Sequence, residues 1–253
     1  MKKKARLIIL FICFLFPAIT ANSQTLNLNA SGLIDIYRRS QLLGQVDSTI
    51  SFTIQPLYKE SLEAESRYSS DSSSSNNYLQ AAYAAHDIYK GKINLKILPI
   101  IWNQQYNTNH PEGFNDGAMI PARGYQTLVS AGFFAKYGPL SIQLMPELVF
   151  SHNSKYAGFS PQQSDEIWAR YYQNYLNEID IPERFGEKSY TKLHWGQSNI
   201  RLTHKAVSVG LSSENVWWGP GRKNSLIMSN TATGFNHITL NTVKPIKTFI
   251  GHF

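Results

Sequence analysis

The chain has 253 residues, of which 13% are aromatic and only 16% charged, with a formal net charge of +7. That length allows one domain with a real core, while the charged fraction falls below the ~25% usual for soluble domains. One cysteine, Cys13, excludes an intramolecular disulfide or a multi-cysteine metal centre.

At the start, Met1-Lys2-Lys3-Lys4-Ala5-Arg6 is cationic, residues 7–19 are apolar, and Thr20-Ala21-Asn22-Ser23-Gln24 is small and polar. This order predicts a secretory signal peptide over residues 1–23 and a mature chain beginning at Gln24. The apolar core is well short of the ~20 residues of a spanning helix. Phe11 and Ile12 stand where a lipoprotein signal needs small residues before its cysteine. Processing takes four of the 24 basic residues and none of the 17 acids, leaving +3 and removing Cys13. A nucleic-acid partner then loses its electrostatic basis. No later apolar run reaches helix-spanning length, so an exported, aromatic-rich, weakly charged chain points to a membrane β-barrel, whose strands hide their apolar residues by alternation.

Residues 69–77 (SSDSSSSNN) are too polar to pack and read as a loop. In residues 91–99, Ile93, Leu95 and Ile97 share one face and Asn94 and Lys96 the other. Residues 126–136 are rich in β-formers, Tyr137-Gly138-Pro139 is a turn, and Leu140, Ile142 and Leu144 alternate on the return. Residues 91–99 and 138–146 form a weak repeat with matching glycine, alternating apolar positions and proline, so both strands should stop or reach a rim at Pro99 and Pro146. Ser160-Pro161-Gln162-Gln163 predicts a helix start with Ser160 as cap, and Ile167, Trp168, Tyr171, Tyr172, Tyr175 and Leu176 give that helix an apolar stripe ended by Pro182. This helical insert, near residues 160–178, would be a plug, lid or loop element. The clearest hairpin sets Ile200 and Leu202 against Asn199, Arg201 and Thr203, turns at His204-Lys205, and returns through Val207, Val209 and Leu211. Such alternation fits both a soluble sandwich, whose apolar face meets a second sheet, and a barrel, whose apolar face meets lipid.

Two stretches are dense in chemistry. Residues 110–124 contain Asn115-Asp116-Gly117, which reaches positive φ easily and makes a tight turn. Residues 214–225 place Trp217-Trp218 beside Gly219-Pro220-Gly221 and the cations Arg222 and Lys223. Indole faces stack on sugar rings and arginine pairs bidentately with uronate carboxylates. The alternative is a rigid turn with packed tryptophans and Arg222 paired to Glu214. No nucleophile elbow, phosphate loop or paired-histidine zinc motif is present, and His86-Asp87 alone is weak evidence for a metal. Glu147 and Glu214 would serve as a glycosidase pair only at ~5–10 Å separation.

Several long runs resemble the Bacteroidetes-type branch of the capsule-assembly Wzi family: residues 38–44 (RRSQLLG), 51–57 (SFTIQPL), 115–130 (NDGAMIPARGYQTLVS), 140–150 (LSIQLMPELVF), 181–186 (IPERFG), 210–230 (GLSSENVWWGPGRKNSLIMSN) and 244–251 (KPIKTFIG). The resemblance implies an all-β, antiparallel outer-membrane β-barrel with helical plug or loop segments. It also implies a non-catalytic protein without metal or cofactor that helps retain capsular or exopolysaccharide at the cell surface. Its further partners would be outer-membrane lipid and the barrel-assembly machinery. Members of that family are much longer, so residues 24–253 are expected to be the N-terminal part of a barrel that needs more strands to close. Side-chain chemistry nominates Trp217, Trp218, Arg222, Lys223, Asn115 and Arg123 as polysaccharide contacts. A small-solute pore and a secreted glycan-active sandwich enzyme are the alternative readings.

Overall fold

A computed structural model of the chain describes residues 24–25, 28, 31–44, 50–58, 86–90, 92–109, 111–176, 185–243 and 246–252. The expected signal peptide, the serine-rich loop at 69–77, and Pro182 lie outside the described residues. In chain order come helix α1 (Ser31–Leu42), β1 (Ile54–Gln55), β2 (His86–Lys90), β3 (Ile93–Ile97), β4 (Ile101–Asn107), β5 (Gly124–Ser130), β6 (Phe133–Tyr137), β7 (Leu140–Leu144) and β8 (Glu147–Ser151). Helix α2 (Asp165–Tyr171) with a π turn (Tyr172–Leu176) follows. Then come β9 (Tyr190–His194), β10 (Asn199–His204), β11 (Val207–Ser212), β12 (Trp217–Trp218), β13 (His237–Thr242), β14 (Lys247–Thr248) and β15 (Gly251–His252).

A seven-stranded sheet runs β13-β11-β10-β7-β6-β3-β2 and a four-stranded sheet runs β4-β5-β8-β9. Every described pairing of named strands is antiparallel. The two sheets share four long bent strands, because β3 continues into β4, β5 into β6, β7 into β8 and β9 into β10 in matching lateral order. Residues 126–136 are therefore two strands, broken at Ala131-Gly132, rather than the one run expected. Pro99 and Pro146 lie on this same seam. Proline ends each ladder as expected, but the chain then bends into the second sheet.

Backbone chemistry explains the seam. A β-carbon on Gly132 would lie 1.9 Å from the Leu144 carbonyl oxygen, so only glycine permits that approach. Gly196 has φ +58° and would set a β-carbon 2.5 Å from the Met145 carbonyl. The interrupted ladder is completed across the bend by Leu98 N–H to Gly132 O (2.9 Å) and Gln197 N–H to Met145 O (3.0 Å). Met145 N–H donates to Ser198 Oγ (2.9 Å) and Ser130 Oγ to Pro146 O (2.9 Å). Buried backbone groups that lose a strand partner thus find another.

The large sheet is polar inside and apolar outside. Across six strands, Leu95, Ala135, Ile142, Ile200, Leu211 and Ile238 fall in register, as do Ile93, Tyr137, Leu140, Leu202, Val209 and Leu240. The row between them reads Asn94, Lys136, Ser141, Arg201, Gly210 and Thr239 and faces the other way. Arg201 is 2% exposed while Ile238 and Leu240 are each 76% exposed. Strand parity alone produces this, since successive side chains point to opposite faces. Among the described residues the sheets remain open, and no helix is long and apolar enough to cross a membrane.

The helical insert starts later than expected, at Asp165 with Ser164 as cap. Ser160 Oγ instead accepts the Gln162 N–H (3.4 Å) in a local turn, and Asp165 and Glu166 supply the acidic first turn. No residue of α2 is buried; its stripe packs on its own neighbours, with Phe159 stacked on Tyr171 at 4.2 Å.

Candidate functional site

The connections between strands differ at the two ends. The β2–β3, β6–β7 and β10–β11 connections are short and lie at one end, whereas the longer β4–β5, β8–β9 and β11–β13 connections leave from the other side of the seam. The two chemically dense stretches of the sequence lie in the first and last of these long segments, and the structure joins them. Asn115, held at φ 52°, donates its side-chain amide to Lys223 O (2.6 Å) across 108 residues of sequence. In return Asn230 Nδ2 donates to Asn115 O (3.0 Å), and Gly117 N–H donates to Asn230 O (2.7 Å).

The tryptophan segment is fixed by the N-terminal part of the chain. β12 pairs with β1, Ile54 opposite Trp218 and Gln55 opposite Trp217. Gly219 N–H donates to Thr53 O (2.7 Å), and Arg38 Nη2 in α1 donates to Pro220 O (2.7 Å). Trp217 is buried, with its indole N–H on Gly221 O (3.1 Å), while Trp218 is 44% exposed. Arg222 and Lys223 are exposed, and Arg222 forms an ion pair with Asp35 of α1. The anticipated alternative, Arg222 with Glu214, does not occur: Glu214 is buried on Arg201 Nη2 at 3.0 Å, out of reach of the exposed loop tip. Arg123 stands apart from the cluster, donating to Lys155 O (3.1 Å) and bridging Ser154. The structure thus groups Trp217, Trp218, Arg222, Lys223 and Asn115 and ties Arg123 to the 154–155 segment.

Beneath the loop lies a buried polar network. Arg201 Nη1 donates to Thr239 Oγ1 (2.7 Å) and Asn241 Oδ1 (3.2 Å), and its guanidinium sits 5.2 Å from the Tyr58 ring. Ser212 Oγ donates to Glu214 Oε2 (2.7 Å), and Thr25 Oγ1 donates to Glu214 Oε1. Gln143 Nε2 donates to Thr25 Oγ1 (2.8 Å) and to Gln197 O (3.1 Å), and Gln197 Nε2 reaches Glu147 Oε1 (3.1 Å) and Asn215 Oδ1 (2.8 Å). Glu147 and Glu214 are therefore linked through Thr25, Gln143 and Gln197 within one buried network, each at most 1% exposed. The buried Glu214 charge is tolerated because it is paired with Arg201 and hydrogen-bonded, whereas Glu147 accepts the Gln197 amide on Oε1 and has no hydrogen-bond partner on Oε2.

Arg201, Gln143 and Gln197 were not singled out from the sequence. Their signal was present: each is a long polar or charged residue at or beside an inward position of a strand whose alternate residues are apolar. Helix α1, with Tyr37 and Ile34 buried, was also missed, since no acidic first turn announces it.

A family model described as "Capsule assembly protein Wzi" matches residues 106–250, more than half of the chain and the whole of both long-loop stretches from Asn115 onward. Searches with the chain return no matching curated protein and no matching solved structure. The match spans β5 to β13, the Asn115 turn and the tryptophan loop together, and on it the chain belongs to the Wzi family of capsule assembly proteins.

Proposed function

We propose that the protein is a non-catalytic outer-membrane barrel component that holds capsular or exopolysaccharide at the cell surface through its long-loop end. The inverted seven-stranded sheet carries the membrane part of this reading. Two apolar rows six strands wide are exposed or, at Leu95, Ala135 and Leu140, half-buried, while Arg201, Gln143 and Ser141 are buried. In water a contiguous apolar face of that extent is an aggregation liability. Against acyl chains it is at rest, because the ladders already satisfy the backbone. The sheets' edges are open among the described residues, and this reading takes the barrel-assembly machinery and outer-membrane lipid as partners. Thr25 and Tyr58 lie against the polar face, on Glu214 and Arg201, which favours an anchor over a small-solute pore.

The polysaccharide part rests on the loop's chemistry. Trp218 offers a half-exposed indole face, Arg222 and Lys223 offer cations, and Asn115 clamps the Lys223 backbone. A repeating acidic polymer would make many such weak contacts, and avidity multiplies them. Arg123 would contact the polymer from the neighbouring 154–155 segment, and Trp217 would support the loop from below.

Replacing Trp218 by alanine together with Lys223→Gln in cells should release polysaccharide into the medium while the protein still reaches the outer membrane. Normal retention with normal assembly would place the site elsewhere. A Lys223→Cys variant should also react with a membrane-impermeant maleimide on intact cells; protection until the cells are broken would put the loop on the periplasmic side and end this reading.

A further inference from the structure

We infer that the Arg222 guanidinium is a carboxylate-binding site which the protein itself occupies with Asp35, so that an acidic glycan binds the loop by exchange with helix α1. The inference rests on the polysaccharide reading above and adds a form of regulation to it. Among the described residues, the contacts that hold the N-terminal part against the loop are not equivalent. The β1–β12 pairing, with Gly219 N–H on Thr53 O, is backbone ladder, and Arg38 reaches a backbone carbonyl at Pro220. A ligand carboxylate cannot replace those acceptors without leaving a strand edge or a carbonyl unpaired. Asp35 on Arg222 is different, because a uronate presents the same two-oxygen acceptor to the same fork of donors.

Exposure separates this pair from the other arginine–carboxylate pair in the molecule's interior. The Arg222 and Asp35 side chains are 64% and 32% exposed, against 1% and 2% for Arg201 and Glu214. A buried pair cannot be opened without stranding a charge, whereas an exposed one is held weakly and water screens each partner as they part. Lys223 is the next residue and is exposed, so an incoming acidic chain meets a second cation before Asp35 has left. Trp218, on the same loop, gives it a ring to stack on. The β1–β12 ladder stays closed during exchange, so the loop keeps its shape while α1 loses its charged tie. Arg38, also on α1, stays 5.8 Å from the Phe52 ring and keeps the helix near.

The test is a titration of the full chain in detergent micelles with oligogalacturonate and with its methyl-esterified, uncharged counterpart. Asp35→Asn should tighten binding of the acid by about two- to five-fold, the range expected for removing an exposed ion-pair competitor. It should leave the ester unchanged. Asp35→Glu, which keeps the competing charge, should bind close to the unsubstituted protein and so separates charge from any general disturbance of α1. Arg222→Gln should reduce the preference for the acid over the ester to what Lys223 alone supports. If the unsubstituted protein binds the acid and Asp35→Asn binds it no better, the exchange is wrong while the polysaccharide reading stands. If neither protein binds either oligomer, both fall together.

Discussion

The seven-stranded sheet and the 217–223 loop are held by opposite kinds of bond. In the sheet every residue is placed by parity and by a repeating antiparallel ladder, so no single side chain decides the architecture. The loop hangs on single contacts from remote positions: Thr53, Asp35 and Arg38 on one side and Asn115 on the other. The sheet is therefore robust to the identity of its residues but not to their polarity. The loop is the reverse. Its conformation survives changes in polarity yet depends on particular hydrogen-bond and ion-pair partners.

The largest break in this contrast is expected at Arg201, where the sheet does depend on one side chain. Arg201→Ala leaves the buried Glu214 carboxylate without its cation and should destabilise the protein by about 3–5 kcal/mol. The double change Arg201→Met with Glu214→Gln should cost much less, since no unpaired charge remains. Urea unfolding of the micelle-bound protein reads both. Equal losses in the single and double variants would mean that packing against Tyr58, not charge, is what Arg201 contributes.

A smaller effect is expected on the opposite face of the same strands. Leu202→Arg or Leu240→Arg should lower stability in lipid by about 2–4 kcal/mol, the usual cost of a cation on the lipid face of a barrel near the midplane. Both leucines are more than half exposed, so in a soluble sandwich lacking a covering layer the same changes would be neutral or would improve solubility. The sign of the change in lipid vesicles thus separates the two architectures that period-two alternation alone fits equally.

What could be read from the sequence follows the same division. Parity is local, so the 199–212 hairpin, the 138–139 turn and the outward and inward faces of β3 and β7 are legible in a few residues each. The seam is only half legible. Pro99 and Pro146 announce the end of a ladder, but nothing near Gly132 or Gly196 tells that the Leu144 and Met145 carbonyls press on them from another strand. The site divides likewise. Trp218, Arg222 and Lys223 declare their chemistry, whereas the pairing of Arg222 with Asp35 spans 187 residues, so local sequence offered only the nearby and mistaken Glu214. Helix α1 escaped because its Ser31–Leu42 segment has no acidic first turn and is stabilised by tertiary burial of Ile34 and Tyr37.

Asp116 gives the finest measure of how the loop end is held. It sits between Asn115 at φ 52° and Gly117 at φ 70°, in the turn that clamps Lys223 and Asn230. Burial raises its carboxyl from 3.8 to about 6, and one of its oxygens, Oδ2, has no hydrogen-bond partner. Because the folded state holds this proton more tightly than the unfolded chain, the folded form binds more protons between those two values, and stability falls as pH rises through that window. Below 3.8 both states are protonated and the turn is at its most stable; above about 6 both are ionised and the full penalty is felt. Solvent screening of a partly exposed group reduces that penalty to roughly 1 kcal/mol. Asp116→Asn should therefore stabilise the protein slightly at pH 7 and flatten its pH dependence between pH 4 and 6, read as hydrogen-exchange protection of the Gly117 amide bonded to Asn230. A Gly117 amide that becomes better protected as pH rises in the unsubstituted protein, after correction for intrinsic exchange, would mean that the carboxylate is stabilised as an anion by a cationic partner, and the turn would then be a charge clamp and not a strained one.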